Sequence, residues 1–504
     1  MKLKRRRESP SAGFQPKIDL SSPASLARQL YLSLREAIAD GRLNPGHRLP
    51  STRFASQEWK VSRGTITEAY EILIAEGYAA ARHGSGTYIM STASDRVLKV
   101  GGRDHSERLA YATSRTISKA ATEVLTRGPL LGPQKMLPFV TGRIAHDSRT
   151  AGLLNRIAGR HMNYAFAGYG DIQGEADLRA AIVAHLAVSR GVRCTAEQLF
   201  ITAGTQQALD LAFRVLASPG DTVIVEDPCY PPARQCLALN GAKIIGLPVD
   251  CDGIITESLA DKLEPPALFY VTPSNQYPVG SVLSLPRRLE LLAYAREKGC
   301  WIVEDDYDSE FRYEGHPIAS LQGLDQANRV LYTGTFSKAL LPSLRLGYLV
   351  VPADLVPVFR AIRPALDCSP PTFQQRVVAD FLNEGYFPAH LRRLRERLRA
   401  SRDLLTELLK DRISDHLEVV IPDQGINLTA RSTGTWTSDT AISKVALSKG
   451  VVVMPLSRMN VTASDTSRLM FGFSGLSEQE ADKGSKLLAE VFKSTLDLRS
   501  GARR

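Results

Sequence analysis

The sequence predicts two fold classes in tandem, a small α+β domain followed by a larger α/β domain. The chain has 504 residues, too many for one core, because compact units run to about 100–200 residues. Helical periodicity dominates the first hundred positions, whereas short apolar strands alternate with helical stretches beyond Leu199. Hydrophobic residues make up 43% of the chain and charged residues 23%, which excludes disordered and fibrous proteins.

The composition also limits where the protein acts. No run of about 18 apolar residues is present, and the N-terminus MKLKRRRESP lacks an apolar segment, so we expect neither a membrane span nor a secretory signal. The six cysteines are scattered without a CxxC pair, so we expect neither a disulfide framework nor a metal site. The sequence therefore predicts a cytoplasmic protein.

Positive charge is concentrated near the N-terminus. Residues 1–100 contain sixteen Lys/Arg and nine Asp/Glu, so +7 of the net charge of +10 lies in one fifth of the chain. This asymmetry predicts that the first domain contacts a polyanion, although the basic run at residues 2–7 alone is more typical of a solvated tail.

The first domain begins with a predicted amphipathic helix. Leu26, Leu30, Leu34 and Ile38 recur every four residues, and Gly41 is placed to end the helix. The segment GRLNPGHRLP then contains strong helix breakers, Asn-Pro-Gly and a second proline. One helix followed by a sharp turn is therefore expected over residues 25–50.

Two further helices meet at the tight turn WKVS, which is the helix-turn-helix pattern. The first starts around Ser51 and Thr52, and Ser62 opens the second. The second helix is predicted to bury a stripe of five residues: Ile66, Ala69, Tyr70, Leu73 and Ile74. A strand at residues 78–82, the flexible turn HGSG and a second strand at residues 87–90 predict a β-hairpin, or wing, behind the helices.

The third helix and the wing carry the candidate DNA contacts. Arg63, Thr65 and Thr67 lie where a recognition helix meets bases and phosphates in the major groove, although an ordinary exposed polar face would look the same. The segment NPGHRLPSTRFASQEWKVSRGTITEAYEILIAEGYAAARHGSGTYI resembles the DNA-binding domain of the GntR superfamily. The resemblance implies DNA contact by Arg53, Ser62, Arg63, Thr65, Gly84, Ser85 and Gly86. Lys60 departs from the family, which usually has a small residue there, often Gly.

Periodicity is lost between the two domains. Residues 92–136 gather Ser, Thr, Gly, Arg and Asp and predict a linker, with a helical segment at residues 114–125. We therefore predict a basic tail at residues 1–19, the winged helix-turn-helix at residues 20–91, the large domain at residues 137–495 and a basic tail at residues 496–504.

The large domain is predicted to contain a largely parallel sheet. Its candidate strands are LFIT, TVIVE, AKIIGL, ALFYVT, CWIVED, RVLYTG and LGYLVV, separated by helical stretches. Ligands bind at the carboxyl ends of the strands in such sheets. The polar residues that directly follow these strands are therefore the candidate site residues.

Two strand ends carry groups that suit a phosphorylated pyridine. After LFIT, Gly204, Thr205 and Gln206 open a helix whose N–H groups can hold a phosphate, although most such turns are only caps. After CWIVE, Asp305 can pair with a protonated ring nitrogen and Tyr307 can hydrogen-bond a ring oxygen, although a surface acidic turn would look the same.

A third strand end supplies an amine. After RVLYTG, the segment TFSK places Lys338 beside hydroxyl residues and seven residues before Arg345. An imine-forming lysine beside an arginine that balances a phosphate dianion suits a carbonyl cofactor, although a single lysine is more often a surface residue. Together, the phosphate turn, the carboxylate and the lysine match the demands of pyridoxal 5'-phosphate (PLP).

Residues 137–495 resemble the fold type I aminotransferases, which end in a smaller C-terminal α/β subdomain. The resemblance implies that Lys338 forms a Schiff base with PLP, that Asp305 pairs with its ring nitrogen and that Tyr307 contacts its ring hydroxyl. Arg345 would bind the phosphate. Further residues implied are Gly204, Thr205 and Gln206 at the phosphate, Tyr230 on the ring, Thr335 and Ser337 beside the lysine, Tyr169 reaching the phosphate of the opposite subunit, and Arg468 on an effector carboxylate.

Two of these assignments stay open. Related regulators usually have His at the position of Asn275, so either Asn275 or Gln276 is expected near the ring oxygen. Arg458 competes with Arg468 for the carboxylate. The Asp-x-Tyr spacing is one residue shorter than in free-standing aminotransferases and is typical of regulators fused to this domain.

Both halves in this order resemble the MocR subfamily of GntR regulators. The resemblance implies a domain-swapped homodimer that binds double-stranded operator DNA, senses a small amino compound or PLP itself at Lys338, and controls nearby genes. The alternative is an active aminotransferase that carries a DNA-binding domain, since the residues for catalysis are retained. Net catalysis is not expected, and an aminotransferase half-reaction is left open. A vestigial domain without cofactor is disfavoured.

Overall fold

The structure is a computed structural model that describes residues 14–19, 21–82, 84–90, 117–127, 136–145, 147–162, 169–259, 264–315, 318–434, 438–462 and 465–501. The chain divides into two compact units between Thr116 and Ile117. Within the described ranges, no helix is both long and apolar enough to cross a membrane. Most of the predicted linker, and position 83 next to the predicted wing tip, lie outside the described residues.

The first unit is a three-helix core followed by a β-hairpin. Its elements are α1 (Leu26–Ala39), α2 (Thr52–Trp59), α3 (Arg63–Ala75), β1 (Ala79–Arg82) and β2 (Gly86–Ile89). Each helix begins after a serine whose side chain accepts a hydrogen bond from a backbone N–H of the first turn, at Ser25, Ser51 and Ser62. The predicted helix-turn-helix with a wing is therefore confirmed.

The buried face of α3 matches the predicted stripe except at its last residue. Ile66, Ala69, Tyr70 and Leu73 are buried, whereas Ile74 is 36% exposed. Ile74 follows Leu73 directly and is therefore turned by about 100° around the helix, away from the core. The prediction that Ile74 belongs to the stripe is wrong.

The turn between α2 and α3 explains the unusual Lys60. Its backbone has φ 54° and ψ 37°, the left-handed conformation that glycine adopts without strain. The Ser56 hydroxyl donates to the Val61 carbonyl oxygen at 2.7 Å and ties the turn to α2. Lys60 therefore takes the conformation expected of the small residue that usually stands there.

The second unit is built on an eight-stranded sheet with the order β3-β10-β9-β8-β7-β4-β5-β6. The strands are β3 (Leu199–Thr202), β4 (Thr222–Asp227), β5 (Lys243–Asp250), β6 (Gly253–Ile254), β7 (Leu268–Val271), β8 (Trp301–Asp306), β9 (Val330–Thr335) and β10 (Gly347–Val350). The five strands from β9 to β5 run parallel to one another, whereas β10 and β6 pair antiparallel with their neighbours. The predicted largely parallel sheet is confirmed, with all seven predicted strands in place.

Helices pack apolar side chains against both faces of this sheet. The helices of this part of the second unit are α4 (Lys119–Arg127), α5 (Ser148–His161), α6 (Ala176–Arg190), α7 (Thr205–Leu216), α8 (Pro231–Leu239), α9 (Leu285–Lys298), α10 (Leu321–Leu324), α11 (Phe336–Ala339), α12 (Val356–Asp367), α13 (Phe373–Asn383) and α14 (Tyr386–Ile413). Short 3-10 turns lie at Ala196–Gln198, Thr256–Leu259, Pro342–Leu344, Ala353–Leu355 and Leu456–Met459. Helix α4, from the segment predicted as a linker, packs against α8 of the large unit.

A smaller α/β subdomain follows the long helix α14. Its four-stranded antiparallel sheet has the order β11-β12-β14-β13. The elements are β11 (Leu417–Val420), β12 (Asn427–Ser432), α15 (Asp439–Ser448), β13 (Met454–Pro455), β14 (Arg468–Gly472) and α16 (Glu478–Gly501). Helix α16 packs against α14 and continues through residues 496–501, which the sequence assigns to a tail. The predicted C-terminal subdomain is thus present.

Candidate functional site

The carboxyl ends of the parallel strands surround a cavity of about 240 Å³. Strand ends β7, β8 and β9 and the start of α7 all contribute to its wall. Predicted site residues that line it are Thr205, Gln206, Tyr230, Asp305, Tyr307, Thr335, Ser337, Lys338 and Arg345. The rule that ligands bind at this edge of a parallel sheet therefore brings together residues separated by up to 140 positions in the sequence.

One end of the cavity is suited to an anion. Gly204 has φ 88° and begins α7 without a side-chain cap, so the first N–H groups of this 12-residue helix point outward. A β-carbon at Gly204 would lie 3.3 Å from the Arg345 guanidinium, which therefore lies directly over the helix start. Arg345 Nη2 donates to the Ala203 carbonyl oxygen at 2.8 Å. A helix N-terminus and an arginine at one point favour a phosphate.

The two hydroxyl residues before the lysine have different surroundings. Thr335 caps α11, because its Oγ1 accepts from the Ser337 N–H at 3.1 Å and donates to the Leu346 carbonyl oxygen at 3.1 Å. Ser337 Oγ is buried and has no hydrogen-bond partner among the described residues. Thr335 therefore positions the lysine-bearing turn, whereas the Ser337 hydroxyl is available to a ligand.

Lys338 offers an amine that is easily deprotonated. Burial lowers its pKa, and the nearby Asp308 carboxylate opposes this only in part. A β-carbon at Gly142 would lie 3.4 Å from Lys338 Nζ, so glycine leaves room for the amine. A lowered pKa increases the fraction of neutral amine, the form that attacks a carbonyl carbon.

Asp305 lies at the floor of the cavity with one oxygen unused. The Tyr270 hydroxyl donates to Oδ2 at 2.9 Å, whereas Oδ1 is buried without a partner within the described part of the chain. Burial raises the pKa of Asp305 to about 7, although the Tyr270 hydrogen bond lowers it. A protonated ring nitrogen would satisfy Oδ1 and stabilise the ionised form. Together with the Ser337 hydroxyl and the anion site, this orphaned oxygen fits PLP.

The structure separates Asn275 from Gln276. Asn275 Nδ2 donates to the Tyr307 hydroxyl at 3.1 Å and to both carboxylate oxygens of Asp308, at 2.9 and 2.8 Å. Gln276 Nε2 instead donates to the backbone oxygens of Pro228 and Tyr277, both at 2.8 Å. Of the two open candidates, Asn275 therefore lies beside the phenol predicted to meet the ring hydroxyl, although it lines a neighbouring cavity.

Two predicted aromatic residues occupy different positions. Tyr230 lies in the cavity wall with its ring 5.2 Å from that of Tyr277, in an edge-to-face arrangement. Tyr169 is 92% exposed and does not line this cavity. Its predicted role requires a second subunit, so the single chain places only Tyr230 at the site.

The two arginines predicted as candidates for binding an effector carboxylate differ in their position relative to the cavities. Arg468 lines a second cavity of about 570 Å³, which shares Tyr277, Tyr307 and Asn427 with the first. Its Nε lies 3.0 Å from Asp465 Oδ2. Arg458 is exposed and lines neither of these two cavities. The geometry therefore favours Arg468.

Several residues of the site were not found from the sequence. They are Thr141, Gly142, Tyr270, Thr272, Tyr277, Asp308, Ile426 and Asn427. Thr272 ends a predicted strand and Asp308 closely follows another, so the strand-end rule contained the signal for them. Gly142 and Asn427 come from segments outside the large sheet, and no local pattern marks them.

The predicted DNA-binding residues lie on the exposed side of the first unit. Arg53 and Arg63 are exposed, and Ser62 caps α3, with its Oγ accepting from the Thr65 N–H at 3.1 Å. The wing residue Ser85 hydrogen-bonds the Tyr88 hydroxyl at 2.7 Å.

The two wing glycines differ in their surroundings. A β-carbon at Gly84 would meet no described atom within 4 Å, so the tip there is open. A β-carbon at Gly86 would lie 2.7 Å from Arg48 Nε, so an arginine that the sequence did not single out lies against the wing.

Comparison with known proteins matches both units. The family of bacterial regulatory proteins, gntR family, matches residues 26–89, and aminotransferase class I and II matches residues 135–486. The chain is 36% identical to a probable rhizopine catabolism regulatory protein, MocR, of Rhizobium meliloti, over 94% of this chain and 95% of that protein. It is 32% identical to the pyridoxine biosynthesis transcriptional regulator PdxR of Corynebacterium glutamicum, over 77% of this chain and 80% of that protein.

Solved structures extend the likeness to the fold of the second unit. LysN, an α-aminoadipate aminotransferase from Thermus thermophilus complexed with N-(5'-phosphopyridoxyl)-L-leucine, superimposes with a TM-score of 0.66 at 25% identity. The match covers 79% of this chain and 100% of that one. The two-unit order is thus shared with regulators, and the second unit with PLP enzymes.

Proposed function

The chain belongs to the MocR subfamily of GntR regulators, DNA-binding transcription regulators with a PLP-binding domain, and we propose that an amino compound reaching Lys338 switches its DNA binding. The observation that carries the proposal is the cavity in which the buried Lys338 amine, the unpaired Asp305 oxygen and the Arg345 anion site converge. This cavity and a winged helix-turn-helix stand in the same chain.

The residues present can hold every part of PLP. The N–H groups of Thr205 and Gln206 would bind the phosphate together with Arg345, and Asp305 Oδ1 would accept from the ring nitrogen. Tyr307 would contact the ring hydroxyl. When bound, PLP supplies an aldehyde that condenses with amines and a ring that withdraws electrons from the condensed carbon.

PLP held by these residues would supply an aldehyde for which Lys338 and an effector amine compete. With the effector bound, Lys338 would keep a free amine beside Asp308, whose pKa is raised by burial. Asp308 is hydrogen-bonded to Asn275, and both side chains pack against Gly425, where a β-carbon would lie 2.5 Å from Asn275 Nδ2. Gly425 precedes β12 of the small subdomain. A change of charge at Lys338 can therefore move that subdomain.

The protein would act as a domain-swapped homodimer in the cytoplasm, where it meets operator DNA near the genes it controls. Tyr169 supports this assembly, because its 92% exposed side chain is free to reach the phosphate site of a second subunit. Arg53, Ser62, Arg63 and Thr65 would contact the major groove, and Gly84, Ser85 and Gly86 would place the wing beside the minor groove.

Two signals fit the cavity, an amino compound and PLP itself. The second cavity beside the cofactor site, with Arg468 in its wall, favours an amino compound that carries a carboxylate. An active aminotransferase is the second candidate function, and the retention of Tyr230, Asp305 and Lys338 in one cavity favours it. Sustained turnover of an amino donor with a 2-oxo acid would promote the enzyme over the sensor.

The covalent link to PLP is tested by visible absorbance of the full-length protein. We expect wild type and the surface variant Lys444→Ala to show the band of covalently held PLP and to retain the cofactor after borohydride reduction. Lys338→Ala should lose both signals. A band that survives unchanged in Lys338→Ala would contradict the assignment of Lys338.

A further inference from the structure

The second cavity carries an excess of positive charge that the cofactor does not use. It adjoins the cofactor cavity through Tyr277, Tyr307 and Asn427 and has a volume of about 570 Å³. Arg312, Arg431 and Arg468 line its wall. One carboxylate needs only one of these guanidinium groups.

Arg431 and Arg468 stand directly opposite each other on neighbouring strands. They are register partners on β12 and β14, so their side chains leave the same face of the sheet about 5 Å apart at the β-carbons. Like charges at such positions destabilise a sheet. Arg431 also lies opposite Glu418 on β11, but no ion pair within 4 Å joins these two described side chains. The pair therefore favours an anion between the two guanidinium groups.

Asp465 supplies such an anion from within the chain. Its Oδ2 lies 3.0 Å from Arg468 Nε, and its Oδ1 accepts hydrogen bonds from the Ser467 N–H at 2.8 Å and the Ser467 hydroxyl at 2.5 Å. Burial works against ionisation, but the Ser467 hydrogen bonds and the charges of Arg468 and Arg431 leave the pKa of Asp465 lowered. Asp465 thus stands in for the carboxylate of a ligand.

Arg312 adds a third cation with unused donors. Its Nη1 donates to Gln424 Oε1 at 3.3 Å, whereas its Nε is buried without a partner in the described part of the chain. Of the acidic residues on the wall, Asp250 is already held by Arg287 at 2.5 and 2.8 Å. Asp423 is exposed to solvent. The cavity wall therefore keeps a positive surplus.

We propose that the effector is an amino compound with two anionic groups, such as an amino dicarboxylate, rather than a neutral amino acid. This inference rests on the proposed function, which brings the amine to Lys338. One carboxylate would bind at Arg468, in competition with Asp465, and the distal anion would bind Arg431 and Arg312. The neutral parts of the compound would lie against Tyr277 and Tyr307, which line both cavities.

The test compares acidic amino acids with their neutral counterparts on the PLP-loaded full-length protein. L-glutamate and L-2-aminoadipate are titrated against L-glutamine and L-norleucine, with calorimetry and cofactor absorbance as readouts. We expect at least one acid to bind at least about tenfold more tightly than its neutral counterpart, a difference of about 1.4 kcal/mol. Arg431→Gln should remove this preference, and the exposed Arg296→Gln, which loses the same charge outside the cavities, should keep it.

Asp465→Asn provides a variant that gains binding, which misfolding cannot imitate. Asparagine keeps an oxygen for the Ser467 N–H but gives up the charge that competes with the effector. Affinity for the acid should rise by about fivefold, which corresponds to the free energy of one exposed ion pair. Equal binding of acids and neutral compounds, no binding of either acid, or an unchanged preference in Arg431→Gln would overturn the proposal. The Lys338-dependent absorbance and the binding of DNA would persist in each of those cases, which separates this failure from failure of the proposed function.

Discussion

The two units of the molecule place their functional groups in opposite ways. The DNA-binding unit gathers its candidate contacts within about 34 consecutive positions and leaves Arg53 and Arg63 exposed. The cofactor unit collects side chains from Thr141 to Asn427, and all of them except Gln206 and Arg345 are buried or half-buried. The DNA-binding site can therefore be recognised from the order of residues in a short segment. The cofactor site forms only when the large sheet and the small subdomain are assembled.

This difference has an energetic consequence. Exposed arginines keep their hydration, so the charges of the DNA-binding surface reduce the free energy of unfolding only slightly. Burial raises the pKa of Asp305, Glu226, Glu304 and Glu310 to about 7 each, which means that ionising them at neutral pH destabilises the folded state. A bound cation relieves this cost at Asp305. The cofactor unit should therefore depend on its ligand and on pH, and the DNA-binding unit should not.

The largest expected effect is that of Asp305→Asn on cofactor binding. Without the carboxylate, the ring nitrogen loses its charged partner, and affinity for PLP should fall by about 100-fold, the worth of a buried charge-assisted hydrogen bond of about 3 kcal/mol. Spectrophotometric titration with PLP measures this. The exposed Asp354→Asn serves as the matched control and should bind PLP as wild type does.

The same variant should change the pH dependence of stability. The pKa of Asp305 rises from 3.8 to about 7 on folding, so the folded apo protein binds more protons than the unfolded chain between these values. Stability from this group is complete below about pH 4 and is lost as the pH rises towards 7. Asp305→Asn should therefore melt at a higher temperature than wild type at pH 8 without PLP, by a smaller margin at pH 5, and nearly alike at pH 4. A lower melting temperature of the variant at pH 8 would contradict this.

An intermediate effect is expected for Arg63→Ala. Removing an arginine at the start of α3 should weaken binding to the operator by about 10- to 100-fold and leave the cofactor band unchanged. Fluorescence anisotropy at one stated salt concentration measures the affinity. Arg42→Ala removes the same charge from the loop after α1, where Arg42 pairs with Asp40 at 3.1 Å. Equal losses in both variants would show that only net charge matters.

The smallest effect is expected at the turn between α2 and α3. The left-handed backbone conformation of Lys60 costs about 1 kcal/mol, and Lys60→Gly removes this strain. Part of the gain is lost, because glycine increases the conformational entropy of the unfolded chain. Hydrogen exchange in the full-length protein should show α2 and α3 more protected by about 0.5 kcal/mol. Glu58→Gly lies within α2, where glycine costs about 1 kcal/mol, and should show the reverse. Reduced protection in both variants would mean that Lys60 is not strained.

The sequence predicts most of the fold because its signals are local. Serine caps, apolar strands and turn residues act over a few positions, and the rotation of Ile74 away from the core is a case that they misjudge. The strand-end rule then found Asp305, Tyr307 and Lys338. It could not find Asn427 or the facing arginines Arg431 and Arg468, because their roles depend on how the small subdomain meets the large sheet.

Contacts between distant parts of the chain also distinguish candidate residues that the local sequence pattern does not separate. Asn275 and Gln276 are adjacent in the chain, and only the position of Tyr307 and Asp308 distinguishes them. The Arg312–Gln424 contact joins positions 112 residues apart. Such pairings carry no signature in a single sequence.

The central claim is that Lys338 couples amine binding to DNA binding. The most direct measurement is the affinity of the full-length, PLP-treated protein for its upstream DNA, with and without an amino dicarboxylate, in wild type and Lys338→Ala. We expect the compound to change the wild-type Kd for DNA by at least about fivefold, the lower end of allosteric coupling, and to leave the Kd of Lys338→Ala unchanged. The same shift in both proteins, or no shift in wild type with the compound bound, would contradict the account.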